Sequence, residues 1–142
     1  MNANTQRSFE SVSVGDELSP ISIPITLQRL VMEAGANRDF SLIHHDRDVA
    51  RSTGAADAYM NTFFISGMFE RLLREWMGYT GRLNKITNLR MKVFNVVGDT
   101  VTFNGRVSEL LAAEQQVVLD LWSASEQGTT VTAQATVTLT TV

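Results

Sequence analysis

Hydrophobic residues follow a helical repeat in the first part of this chain and a two-residue repeat in the second. Between Ala58 and Met77 they recur every four positions in two adjacent rows. Two such rows make one wide apolar stripe, which predicts a long, mostly buried helix that ends at Gly78. The rows are Met60, Phe64, Met68, Leu72 and Trp76, and beside them Ile65, Phe69, Leu73 and Met77.

From Leu83 onward, apolar and polar residues alternate, as they do in strands with one buried face. A run from Val117 to Ala124 is apolar on both faces, which predicts a central strand, and Gly98-Asp99 predicts a turn. This half of the chain should therefore form an antiparallel sheet. Its clearest alternation places polar residues between Val131, Ala133, Ala135, Val137 and Leu139.

The segment before the long helix is mixed. Residues 18–25 are rich in branched side chains but include Pro20 and Pro24, which confine a strand here to the edge of a sheet. Thr26 is a suitable N-cap for a short helix that Gly35 would end. Asp46 then suits the positive end of a second short helix, which would run through Ala50.

This order of elements predicts one domain. A buried helix followed by an antiparallel sheet indicates an α+β fold in which the sheet wraps around the helix. Residues 1–10 are polar and are predicted to be a flexible N-terminal tail, which leaves residues 11–142 as the domain. Because the helix is so apolar and the strands are long enough to need protected edges, we expect the chain to dimerise.

Composition narrows the possible functions. The 142 residues are 44% hydrophobic and 19% charged, with a net charge of −3 and no basic stripe, so nucleic acid is not an expected partner. No apolar run reaches the ~18 residues of a membrane span, and the first ten residues lack the apolar core of a signal peptide. The sequence has no cysteine, which excludes disulfides and thiolate chemistry. We therefore expect a cytoplasmic protein.

The acid and base side chains concentrate in residues 37–50. This segment contains both histidines of the chain, and Asp39 lies five residues before His44. Imidazole titrates near neutral pH, and a nearby carboxylate can raise its basicity and fix its tautomer, so this pair could activate a water molecule. The alternative from composition alone is an exposed polar loop that caps a helix. With only two histidines, neither of them in a metal-binding motif, no metal site is expected.

The same residues carry a resemblance that covers nearly the whole chain. The pattern Asp39-x-x-x-x-His44, followed by Asp46 and Ala50, resembles the signature of the MaoC-like, R-specific enoyl-CoA hydratases, which have the hotdog fold. Gly15-Asp16 and Gly98-Asp99 agree with similar Gly-Asp turns in that family. The sequence around the two histidines more closely resembles the small catalytic subunit of the hydratase that acts in steroid side-chain β-oxidation. That subunit pairs with a second, divergent hotdog chain.

The chain also departs from the family pattern. Arg38 replaces a glycine before the aspartate, and Ser41-Leu42 replaces Asn-Pro. The family's His-Gly at the start of the central helix aligns with Asn61-Thr62. The glycine N–H polarises the thioester carbonyl in the family, and Thr62 retains that N–H while its side chain adds bulk.

The resemblance implies the hydration of a trans-2-enoyl-CoA to a 3-hydroxyacyl-CoA. Asp39 and His44 would hold and deprotonate the water, the Thr62 N–H would stabilise the enolate, and Asn61 would orient the pair. Coenzyme A would be part of the substrate, with no separate cofactor. The partner would be a second copy or a second hotdog chain.

Two other functions remain open from the sequence. Hotdog thioesterases bind the same substrates and place an acid on or next to the central helix, where Glu70 could serve. The substitutions at residues 41, 42, 61 and 62 also allow a chain without catalysis that completes a partner's acyl pocket. The retention of both Asp39 and His44 argues against each alternative.

Overall fold

The computed structural model describes residues 6–140, which contain one five-stranded antiparallel sheet and three α-helices. The sheet order is β1-β3-β4-β5-β2, so the proline-containing strand lies at an edge and the strand that contains residues 117–124 lies in the centre, as predicted. The strands are β1 Ile21–Pro24, β2 Arg82–Met91, β3 Thr100–Leu111, β4 Gln116–Ser125 and β5 Gly128–Thr138. The helices are α1 Leu27–Asn37, α2 Arg47–Ser52 and α3 Thr62–Met77.

The alternating pattern sets the register of the sheet. Leu119 lies opposite Val107 on β3 and Ala135 on β5, and Leu121 lies opposite Ala133. All of these side chains are buried on the same face. The polar residues between them lie on the outer face, where Asp120 is paired with Gln134. A shift of one residue would exchange the two faces, so burial fixes the pairing.

Helix α3 packs its apolar stripe against the inner face of this sheet. Phe69 and Phe103 meet edge to face with ring centroids 5.4 Å apart, and both are fully buried. The polar side of α3 carries the ion pairs Glu70–Arg74 and Arg71–Glu75 at one-turn spacing. The buried residues of the helix are Ile65, Met68, Phe69, Leu72, Leu73, Trp76 and Met77.

Three predicted helix boundaries were wrong, and one of them is the end of α2, which lies at Ser52 instead of Ala50. Helix α3 begins at Thr62 instead of near Ala58, because the backbone before it pairs with the segment after β2: the Met60 N–H donates to Asn95 and the Ala58 carbonyl accepts from Val97. Helix α1 continues past Gly35 to Asn37 and ends where Arg38 adopts a left-handed conformation with φ 57°.

The N-terminal segment is tied to the helix and the last strand. Of the predicted tail, residues 1–5 lie outside the described residues. The Arg7 N–H donates to the Met77 carbonyl, the Arg7 guanidinium lies 5.1 Å from the centroid of the Trp76 ring system, and Phe9 N–H donates to Thr140. None of the helices in residues 6–140 combines the length and hydrophobicity that crossing a membrane requires.

Candidate active site

The end of α1 sets the position of Asp39. The left-handed Arg38 reverses the chain, and the Asp39 N–H donates back to the Ala34 carbonyl at 2.9 Å. This is the usual way in which a helix end satisfies its last carbonyls, although glycine is the common residue at the left-handed position. The Asp39 side chain is 26% exposed, so one side of the carboxylate remains accessible.

His44 is buried at the end of a 3-10 turn formed by Leu42–His44. Its Nδ1 lies 2.8 Å from the carbonyl oxygen of Tyr59, and the Tyr59 ring meets the imidazole edge to face. Because a carbonyl oxygen can only accept, Nδ1 carries a proton. In the neutral imidazole, Nε2 is then an unprotonated acceptor, which is the form that a general base needs.

His44 Nε2 faces Asp39 Oδ2 at 3.3 Å. An ionised carboxylate and an unprotonated Nε2 are both acceptors, so a stable contact requires a proton or a water molecule that donates to them. Asn61 Nδ2 donates to the same Oδ2 at 3.1 Å and so helps to fix the position of the carboxylate. The geometry therefore favours a shared proton or a bridging water at one defined place.

Asn61 links this pair to the start of α3. Its side-chain oxygen accepts from the Phe64 N–H at 2.7 Å, which makes it the N-cap of the helix. The N–H of Thr62 belongs to the first turn, where a helix supplies no acceptor of its own. The positive end of α3 thus lies one residue from the side chain that holds Asp39, and it favours negative charge there.

The structure brings together three of the four residues that the sequence singled out. Asp39, His44 and Asn61 are in direct contact, and Thr62 follows Asn61 at the helix start. Their roles in catalysis stay predictions. His45 is partly buried and is not in this contact.

Two residues that support the site were missed by sequence reasoning, and so was Asn95, whose backbone carbonyl accepts from the Met60 N–H beside the site. Tyr59 fixes the tautomer of His44 through a backbone carbonyl, which has no sequence signal. Phe94 stacks on the Tyr59 ring with centroids 4.1 Å apart. Asn95 is 1% exposed, and its side-chain amide has no hydrogen-bond partner among the described residues. The sequence pattern carries no signal for any of the three.

Apolar side chains around the site are exposed. Phe40 is 73% exposed and Leu42 51% exposed, and both belong to the loop between Asp39 and His44. Phe63, in the first turn of α3, is 62% exposed. Neighbouring large apolar side chains in solvent are typical of a surface that binds an apolar ligand or another chain.

An ion-pair cluster holds the segment that follows the site. The Arg47 guanidinium donates from Nε to Asp57 Oδ1 at 2.8 Å and from Nη2 to Oδ2 at 2.5 Å, and Arg51 lies 3.3 Å from the same carboxylate. The hydrogen bond from Arg47 lowers the pKa of Asp57 to about 2. Arg47 is thus committed to a structural pair. Among residues 6–140, no group of three or more His, Cys, Asp or Glu side chains is placed to hold a metal ion.

Comparison with known proteins supports the resemblance. No protein-family model matches the chain. The chain is 38% identical over 79 residues to the 3-oxo-4,17-pregnadiene-20-carboxyl-CoA hydratase beta subunit of Mycobacterium tuberculosis. The match covers 56% of this chain and 60% of the relative, so it spans less than two thirds of that protein's length.

Solved structures agree over more of the chain. A chain of the ChsH1-ChsH2 complex from Mycobacterium tuberculosis superposes with a TM-score of 0.84 at 29% identity, over 89% of this chain and 98% of that one. The (R)-hydratase from A. caviae involved in PHA biosynthesis also gives 0.84, over 92% and 98%, but its 23% identity shows the fold alone. The hotdog fold and the resemblance to MaoC-like hydratases are confirmed.

Proposed function

We propose that this hotdog-fold chain, which resembles the MaoC-like hydratases, adds water to the double bond of a trans-2-enoyl-CoA. The observation that carries the proposal is the pair of acceptors 3.3 Å apart, His44 Nε2 and Asp39 Oδ2. The contacts of Nδ1 with Tyr59 and of Oδ2 with Asn61 hold this pair in place. A water molecule that donates to both acceptors would have its oxygen free to attack a carbon atom.

In the proposed reaction, the water oxygen forms a bond to C3 while its proton passes to the dyad of Asp39 and His44. The electron pair of the double bond moves toward the thioester, and a proton from the dyad then reaches C2. One water is consumed and no other reactant is needed. General acid–base help of this kind contributes about 10²–10⁴ in rate.

The start of α3 would stabilise the enolate that forms between these steps. A donor that points at a developing oxyanion contributes about 10²–10³ in rate in other enzymes. The N–H of Thr62 is such a donor, and it lies next to the residue that holds Asp39. We therefore assign the thioester oxygen to this N–H.

The exposed side chains of Phe40, Leu42 and Phe63 fit a large apolar acyl group or a covering chain. The curated relative is named for a steroid acyl-CoA, and it is called a beta subunit. We propose a steroid-derived acyl group for this chain as well. We also propose that a second hotdog chain, or a second copy, covers the apolar surface.

Thioester hydrolysis is the weaker alternative. Glu70 is about 12 Å along the helix from Thr62 at 1.5 Å per residue. Its side chain is 51% exposed and pairs with Arg74, so it is poorly placed to act with the dyad. A chain without catalysis has no need for a histidine that is buried with its tautomer fixed.

The test is hydration of crotonyl-CoA, followed by loss of the enoyl-thioester absorbance, with Asp39→Asn as the matched variant. We expect turnover by the wild type, a loss of about 10²-fold or more in the variant, and no free thiol. Should crotonyl-CoA be too small, a steroid enoyl-CoA and the co-purified partner are used in the same assay. Release of free thiol would favour the thioesterase, and equal rates for the two proteins would remove the dyad from the mechanism.

A further inference from the structure

A groove of about 670 Å³ crosses the outer face of the sheet, away from the apolar core. Its volume is within the range of small-molecule sites. Two rows of side chains form its floor across β2, β5 and β4. Arg90, Thr132 and Trp122 lie opposite one another in the first row.

The second row is a chain of hydrogen bonds. Asn88 Nδ2 donates to Gln134 Oε1 at 3.0 Å, and Gln134 Nε2 donates to Asp120 Oδ1 at 3.1 Å. Asn88 has a left-handed φ of 54° at an irregularity in the pairing of β2 with β5. A bulge of this kind redirects the side chains that follow it, here Arg90 and Lys92.

The charge of the groove is positive. Arg90 and Lys92 both line it, and within residues 6–140 neither forms an ion pair with a carboxylate. Asp120 is the acid that lines the groove, and it already accepts from Gln134. Two cations beside a partly exposed indole suit a ligand that has both phosphates and a planar ring.

The groove is close to the candidate active site. Lys92 and Phe94 are two residues apart, so their Cα atoms are separated by at most about 7 Å. Phe94 stacks on Tyr59, and Tyr59 contacts His44. A ligand in the groove and a thioester at His44 would therefore lie on the two sides of one sheet edge, joined by a flexible arm.

We infer that this groove binds the nucleotide end of coenzyme A, with its phosphates at Arg90 and Lys92 and its adenine on Trp122. The inference rests on the proposed function, because the acyl-CoA substrate supplies the ligand. The arm of the substrate passes over the segment 92–94 to reach the dyad. Arg90 and Trp122 are two strands apart, about 10 Å at the usual spacing, which matches a ring and a phosphate of one nucleotide.

The test measures binding without chemistry. Adenosine 3′,5′-bisphosphate is titrated into the whole chain by calorimetry, and then into the Arg90→Ala/Lys92→Ala and Trp122→Ala variants. We expect each variant to bind about tenfold more weakly or worse. Lys85→Ala, an exposed cation on the same strand but outside the groove, should bind like the wild type, and Asp39→Asn should too.

Three further ligands test which parts of the nucleotide the groove recognises. Coenzyme A should compete with the bisphosphate. AMP and inorganic pyrophosphate should compete at least tenfold less well, since AMP lacks one of the two phosphates and pyrophosphate lacks the ring. Failure of the wild type to bind the bisphosphate, unchanged binding in both groove variants, or equal competition by AMP or pyrophosphate would each overturn the inference. Hydration of crotonyl-CoA that persists beside such a failure would leave the proposed function intact. Binding of the bisphosphate in the groove by a chain that does not hydrate an enoyl-CoA would support the inference and contradict the proposed function.

Discussion

The two ends of α3 differ in the contacts that their residues make. At the C-terminal end, polar backbone groups are satisfied within the chain: Gly78 N–H donates to Arg74, Arg74 donates to the Gly81 carbonyl, and Arg7 donates to the Trp76 carbonyl. Apolar side chains there, such as Met77, are fully buried. That end is built for stability.

The N-terminal end differs in the side chains that it buries. A histidine and two asparagines are buried, while Phe63 and Phe40 are exposed. The buried side chain of Asn95 has no partner among the described residues, but the buried Trp76 Nε1 near the C-terminal end has none either. What distinguishes the N-terminal end is the acid–base cluster around His44. The comparison teaches that converging acid–base side chains, and not unsatisfied polarity alone, mark the candidate site.

The largest effect on stability is expected at the C-terminal end. Met77→Ala should reduce the free energy of unfolding by about 2–5 kcal/mol, because a fully buried side chain is removed from a tight contact. A Cβ placed on Gly81 would lie only 2.8 Å from the Met77 side chain, which shows how closely this region is packed. Denaturant unfolding measures the change.

The control is Tyr79→Ala, since Tyr79 is 81% exposed and belongs to the same turn. Its change should stay within about 0.5 kcal/mol. Equal losses from the two variants would contradict the description of this end as built for stability.

A smaller effect on stability is expected from the carboxylate that anchors the segment after the site. Asp57→Asn should cost about 1.5–3 kcal/mol at neutral pH, because its hydrogen bonds to charged groups are weakened. The folded pKa of Asp57, about 2, is below the ordinary value of 3.8. Its contribution is therefore complete above the unfolded pKa and is lost as the pH falls toward 2. Thermal unfolding between pH 6 and about pH 2.5 should show the gap between the wild type and the variant closing, and a constant gap would refute the assignment.

Asn61→Ser separates the two roles of one residue at the N-terminal end. Serine is also a good N-cap, so the free energy of unfolding should change by less than about 0.5 kcal/mol. The donor to Asp39 is lost, so kcat should fall about tenfold, equivalent to 1.4 kcal/mol, with KM little changed. A fall in stability that accounts for the whole loss of activity would make Asn61 a cap only.

The smallest effect is expected at Arg38. Arg38→Gly should raise the free energy of unfolding by up to about 1 kcal/mol, since glycine adopts a positive φ without strain. Gly35→Ala should raise the free energy of unfolding by a similar amount, because Gly35 is helical with open space around its Cα. Denaturant unfolding measures both variants. Destabilisation by Arg38→Gly would mean that the arginine side chain has a role of its own.

Much of the fold could be predicted from the sequence because burial and periodicity are linked. The alternation in β3 and β5 and the stripe of α3 each depend on neighbours in the chain. The start of α3 could not be predicted, because it depends on hydrogen bonds from residues 58 and 60 to residues 97 and 95, which are distant in sequence.

The candidate site also has a part that the sequence could predict and a part that it could not. Asp39 and His44 are close in sequence, so their spacing alone could predict them as a candidate pair. The link between Asn61 and Asp39 spans 22 positions and was predicted through the family resemblance, not from a local pattern. The carbonyl that fixes His44 belongs to Tyr59, and only the folded chain reveals it. The groove with Arg90 and Trp122 needs three strands in register, which no local pattern specifies.

The central claim is that Asp39 and His44 act as one unit on one water molecule. The most direct test is the rate of crotonyl-CoA hydration by Asp39→Asn, His44→Gln and the double variant, with any partner chain present. Residues that act as a unit are strongly non-additive, so we expect each single change to lose about 10²–10⁴-fold and the double variant to lose little more. Losses that multiply in the double variant would show two independent contributions and would contradict the shared water.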